Sequence, residues 1–471
     1  MASISYAEAA HLLRRAGFGG SPEDINALVG RGREGAVDFL VNYEAVDNTA
    51  LDRLLERSFG NEQFRLPSDI QRWWITRMIN TRRPFEEKMT LFWHNRFATS
   101  YFKVFYPYMA IQNKTLRRYA LDRFDTLLVK VAEDPAMLIW LDGVLNLRVS
   151  PNENFARELQ ELFTMGITDV VTGEANYTEK DVKEIARCFT GYTIKVKRKK
   201  IYKSKFRFEP AQHDSAAKEV YGQTANFTGD DIIALIAVRR ATPRFLVKKL
   251  FEFFVYPLTQ SAADTATIEK FADVYMTSNH SIRALVRAIF VSDEFFGARA
   301  RFALIKNPLE YIVSAIRCLG ATYNVGNDAR PDFTLITRAR QMGLEILNPA
   351  DVNGWDLNLG WLNTSNMLER YNFANYFATN RETNSDAAGV WLTNDQIRRL
   401  TEPTAEATVR KLLTVLGPIE AREDTIAALT SYLETDDQGN RVSFKVDDAT
   451  LDKSVRGLIH LMLCLQEFHL N

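Results

Sequence analysis

Three cysteines in 471 residues, Cys188, Cys318 and Cys464, with no C-x-x-C spacing, leave neither a thiolate zinc site nor a disulfide framework. Each stands in an apolar, helical context and reads as a buried free thiol. Net charge of one sign is also missing. Fifty-nine basic residues balance fifty-nine acidic ones, so no global field steers the chain toward nucleic acid or an anionic surface, and nucleic acid is not an expected partner. No run of about 18 apolar residues occurs, so no membrane span is expected. Arg14-Arg15 has the look of a twin-arginine signal, but GFGGSPEDINALVGRG follows where an apolar segment is required. The expected location is the cytoplasm as the sequence stands, or export if a leader has been removed. A glycine-rich phosphate loop, a dinucleotide fingerprint, a G-x-S-x-G elbow and an internal repeat are all lacking, so no nucleotide cofactor is expected.

What is present is an ordinary globular composition, 46% hydrophobic and 25% charged, long enough for several structural units. The apolar periodicity is helical almost throughout. The expected fold is mainly α, a multi-helical array with a small β-hairpin near residues 192–210. Three consecutive domains are expected: 1–225 with a polar site and the hairpin, 226–381 with a tryptophan-bearing loop, and 382–471. The hairpin follows from YTIKVKRKKIYKSKFRFEP, where apolar and basic residues alternate at period two. Eight Lys or Arg fall between 195 and 207 without an acid. They form either a solvated sheet face or a patch for an acidic partner. Trp355 and Trp361 stand in an irregular Asn-rich stretch, as a packed lid or as a ligand contact.

The stretch 152–193 is the densest in polar groups. Phe155, Leu159, Leu162 and Phe163 define a helix over 154–165 that Gly166 ends. Thr178-x-x-Asp181 opens a second helix, which Gly191 stops. Glu158 and Glu161 are three apart, so they share a cation or raise each other's pKa. One reading makes Arg157, Glu158, Glu161, Glu184 and Arg187 a salt-bridge lattice between packed helices. The other makes the same region a site. His94 inside an aromatic helix beside Asn95, and His213 at a strand exit before Asp214, are the histidines in informative settings among six. If His94 and His213 meet Glu158 and Glu161, they are ligands for a divalent iron, zinc or manganese ion. Without metal, Glu158 or His94 acts as a base while Arg157 or Arg187 holds an anionic group, with Asn95 and Asp214 completing the set.

Several segments resemble one bacterial family of unknown function, the domain family numbered eighteen hundred. AHLLRRAGFG is similar to its opening motif, LFWHNRFATS to its Trp-His-Asn segment, and NENFARELQELFTMG with YTEKDVKEIARCFTGYT to its most characteristic block. FRFEPAQHDSAAKEVYG and NPADVNGW follow in the family's order. The matching motif residues are Trp93, His94, Asn95, Asn152, Asn154, Arg157, Glu158, Glu161, Asp181, Arg187, His213, Asp214, Gly354 and Trp355. The polar ones coincide with the residues singled out above. The resemblance implies frequent export and an accompanying phosphatase-superfamily-like protein, hence a protein partner, but no reaction. Two functions stand open: a metal-dependent enzyme using His94, Glu158, Glu161 and His213, and a binding or assembly protein whose polar cluster is a buried network.

Overall fold

The computed structural model describes residues 3–60, 64–197, 201–326, 331–381 and 388–471. Helices dominate, and the only sheets among the described residues are three antiparallel pairs of short strands. The expected hairpin forms: Tyr192–Lys195 pairs with Lys205–Phe208, Tyr192 opposite Phe208 and Lys195 opposite Lys205. Its basic residues Arg198, Lys199 and Lys200 lie outside the described residues, as do positions 382–387 at the start of the third expected domain. No described helix is long and apolar enough to cross a membrane. The three cysteines are free thiols.

The chain divides into two compact units. One comprises Met1–Phe85, Phe296–Ile346 and Asp356–Asn471; the other comprises Glu86–Phe295 with Leu347–Trp355. The boundaries expected near 225 and 381 therefore each fall inside a unit. In the first unit, arginines tie distant segments by donating to carbonyls. Arg317 caps the end of helix Pro67–Asn80 through the carbonyls of Met78, Ile79 and Thr81. Arg456 reaches Ala378 and Leu392. Trp361 is buried in this unit and Trp355 in the other, so both tryptophans are packed.

The second unit carries every candidate site residue. Its core surrounds Trp93, whose ring stacks on Phe97 and Phe124 and whose indole N–H donates to Ala120 O at 2.9 Å. Helix Pro84–Arg96 is pinned to helix Tyr106–Arg118 by a buried ion pair, Glu87 to Arg117 at 2.8 Å. Asp134 caps helix Pro135–Trp140. Its Oδ1 accepts from Ala136 N, Met137 N and Gln112 Nε2, while Oδ2 is buried with no partner among the described residues.

Burial pushes the Asp134 carboxyl up to about 7, against the pull of its three donors. The folded state thus holds a proton there that the unfolded state releases near the ordinary carboxyl value. Its contribution to stability falls as pH rises from about 4 to 7, and the penalty is fully present above 7. Asp134→Asn keeps the oxygen that caps the helix and carries no charge. It is expected to flatten this part of the stability–pH curve in urea unfolding. An unchanged slope between pH 4 and 7 would contradict a buried, proton-holding Asp134.

Candidate functional site

The central helix starts at Asn154 and is regular only to Glu158; from Leu159 to Thr164 it continues as a π-helix. Met165 N therefore bonds Gln160 O, five residues back, and the Thr164 hydroxyl donates to Leu159 O. Such wide turns concentrate at functional sites because they re-aim side chains at a cost in backbone geometry. The exit is well capped. Gly166 takes a φ of +80°, a conformation that suits glycine. Asn176 Nδ2 donates to the carbonyls of Met165 and Gly166, and Arg96 donates to Leu162 O. Phe155, Leu159 and Phe163 face the core, as their spacing predicts, whereas Leu162, expected with them, is only partly buried. Gln160 is fully buried and accepts from the Tyr221 hydroxyl at 2.8 Å.

The polar side chains of this helix divide into spoken-for and unspoken-for. Arg157 grips Glu179 with two bonds of 2.7 and 2.8 Å and reaches Glu153 at 3.4 Å. Asn154 donates to Asp142, away from Glu158. Glu161 accepts from the Tyr177 hydroxyl at 3.2 Å. Burial, with Glu161 nearby, pushes that phenol up to about 12, so it remains a donor. Glu158 is different. Its half-buried carboxyl is raised by burial first and by Glu161 second, with Arg157 opposing. It accepts no hydrogen bond from any described residue.

Helix Glu179–Cys188 opens with the complete capping box expected: Thr178 Oγ1 accepts from Asp181 N, and Asp181 accepts from Thr178 N. Asp181 also accepts from Tyr221 N at 2.7 Å. Arg187 donates to Asp214 and Glu184, both at 2.7 Å, and to Ala217 O. Asp214 N in turn donates to Thr190 Oγ1. His213 Nδ1 lies 2.9 Å from the Thr190 carbonyl. A carbonyl only accepts, so Nδ1 is the donor in this contact. The ring packs against Phe208 with centroids 5.2 Å apart.

His94 is buried to 1% exposure, and burial pushes it down to about 3, so it is neutral at physiological pH. Its ring meets Trp355 at 5.5 Å between centroids. Asn95 clamps the same residue: Oδ1 accepts from Trp355 N at 2.6 Å and Nδ2 donates to Trp355 O at 3.4 Å. Both ends of the Asn95 amide are thereby occupied in holding the 347–355 segment.

Among the described residues, no three His, Cys, Asp or Glu side chains stand close enough to share an ion. The set His94, Glu158, Glu161 and His213 is therefore not gathered into one cluster. His94 is sealed under Trp355, and His213 is tied to Thr190. The five-residue lattice resolves into two separate groups, Arg157 with Glu153 and Glu179, and Arg187 with Glu184 and Asp214. Sequence reasoning missed Tyr177, Tyr221 and Gln160. Tyr177, immediately before the Thr178 cap, was the one with a positional signal. A cleft of about 670 Å³ in the other unit, lined by Glu406, Arg410, Glu423, Glu434 and Arg441, holds no motif residue. Its arginines are already paired with those glutamates.

A family model described as a protein of unknown function (DUF1800) matches residues 11–470. No curated protein and no solved structure matches the chain.

Proposed function

The chain belongs to the DUF1800 family, and from that premise we propose that it is an enzyme whose proton-transfer group is Glu158, with Glu161 as its charge partner. One observation carries this reading. Glu153, Glu179, Glu184 and Asp214 are each neutralised by an arginine, whereas Glu158 is half-buried, raised and without a hydrogen bond. A carboxyl held above its ordinary range by burial and by a second carboxylate is the arrangement that makes a general acid or base at working pH. Tyr177 fixes Glu161, and the Thr190 carbonyl fixes the His213 ring on the same unit. Arg157 and Arg187 are the candidate holders of an anionic group, at the expense of their present partners. A divalent ion belongs to this reading only at the carboxylate pair. Hard oxygen donors suit manganese better than iron or zinc, and the residues do not supply the three protein ligands of a catalytic zinc site. Elemental analysis of the purified protein and of Glu158→Ala tests that part.

Glu158→Gln tests the main claim. A raised carboxyl costs the folded state nothing below the unfolded pKa and costs most above the folded one. The variant is expected to melt at or above the parent temperature at pH 7–8, with any gain vanishing near pH 4. Any turnover the parent shows in a general hydrolase screen should be lost. A melting temperature depressed as far as that of Glu184→Gln, or turnover retained, would sink the proposal. The second reading, a binding or assembly protein with a structural polar network, is favoured by the Arg187–Asp214–Glu184 group and by the Asn95 clamp. It requires Glu158→Gln to destabilise.

A further inference from the structure

The hairpin presents a charge arrangement that the fold leaves uncompensated. Lys195 stands directly opposite Lys205 across the ladder, and like charges so placed destabilise a strand pair. Of the described basic residues from 195 to 207, Arg207 has an acidic partner, Glu209 at 2.5 Å. Lys195, Lys197, Lys203 and Lys205 are exposed and form no ion pair with a described residue. Apolar side chains stand among them: Val196 is 51% and Tyr202 40% exposed. The hairpin's other face is anchored, with Tyr192 edge-on to Phe189 and Phe206.

The surface continues beyond the hairpin. The turn Ile201–Lys203 packs on helix Tyr106–Arg118, and strand Tyr192–Lys195 packs on the turn Gly143–Leu145. Lys103 joins these neighbours by donating to Trp140 O and Asp142 Oδ1, both at 2.8 Å. Around them Phe102 is 76%, Leu145 61% and Val149 81% exposed. Large apolar side chains projecting from several adjacent segments are an interaction signal rather than ordinary surface.

We infer that this face of the second unit docks on an anionic lipid bilayer, with Lys195, Lys197, Lys203 and Lys205 on headgroup phosphates and Phe102, Val149, Val196 and Tyr202 in the interfacial layer. The charge selects a polyanion. The aliphatic members select lipid over nucleic acid, since leucine and valine offer a base neither a stacking ring nor a hydrogen bond. The inference is independent of the role proposed for Glu158.

Sedimentation of the full chain with vesicles of phosphatidylcholine, alone or mixed with phosphatidylglycerol, tests it. The chain should partition onto the mixed vesicles only, and less as salt rises. Lys195→Glu places opposite charges across the ladder, so it should preserve folding while weakening partition about tenfold. Phe102→Ser, at an exposed position, should weaken partition with the salt dependence unchanged. Failure to bind mixed vesicles overturns the inference, as does parent-like binding by both variants. It is also overturned if a single-stranded oligonucleotide or an acidic protein strips the chain from vesicles and then binds it through Lys195 with no dependence on Phe102.

Discussion

Glu87→Ala is expected to destabilise the protein by about 3–5 kcal/mol, the range for removing one partner of a buried ion pair. Glu87 is completely buried and receives two bonds from Arg117, Nε at 3.0 Å and Nη2 at 2.8 Å. Loss of the carboxylate removes two charged hydrogen bonds from a guanidinium whose side chain is only 10% exposed. The expected total stability of a globular unit is only about 5–15 kcal/mol, so the effect should be plain in urea unfolding. Replacing both residues, with Glu87→Met and Arg117→Leu, should recover much of the loss, because the penalty is the unpaired charge and not the missing bond. A Glu87→Ala cost below about 1 kcal/mol would mean that the pair is solvated. The consequence reaches the site, since Glu87 stands on the helix that carries Trp93, His94, Asn95 and Arg96.

Gly354→Ala should be of comparable size and more local. A Cβ at Gly354 would lie 2.2 Å from Asn95 Oδ1 and 2.3 Å from the Asn95 carbonyl oxygen, and the backbone φ there is +91°. The first contact is with a side chain whose two ends are committed to Trp355, and the second is with helix backbone, so neither can yield cheaply. Left-handed strain and overpacking together should cost about 2–5 kcal/mol. Trp355 should leave His94, which a rise in Trp355 solvent quenching and faster hydrogen exchange at Asn353–Trp355 would report. Parent-like quenching and stability would show that the 347–355 segment is not held by this clamp.

Much of the local structure was legible. Thr178 and Asp181 form the capping box that their spacing announces, because a cap is a bond between neighbours in sequence. Alternation at period two placed the hairpin, and helical spacing placed Phe155, Leu159 and Phe163 inward. The π-helical turn after Glu158 was not legible. It depends on where Arg96 and Asn176, 66 and 10 to 11 residues away, meet the helix end. Nor were the charge partners. Arg157 lies one residue from Glu158 and four from Glu161, yet its strongest partner is Glu179, 22 residues on.

The amino-acid sequence by itself determined the helical class, the caps, the inward stripes and the family, since each rests on short-range periodicity or on residues adjacent in the chain. Only the tertiary structure decided that Glu158 accepts no hydrogen bond from a described residue, that Asn95 is spent on Trp355, and that His94, Glu158, Glu161 and His213 form no metal-holding group among the described residues. Those outcomes depend on which side chains arrive from distant segments to satisfy a buried polar group first, and that competition is settled by packing.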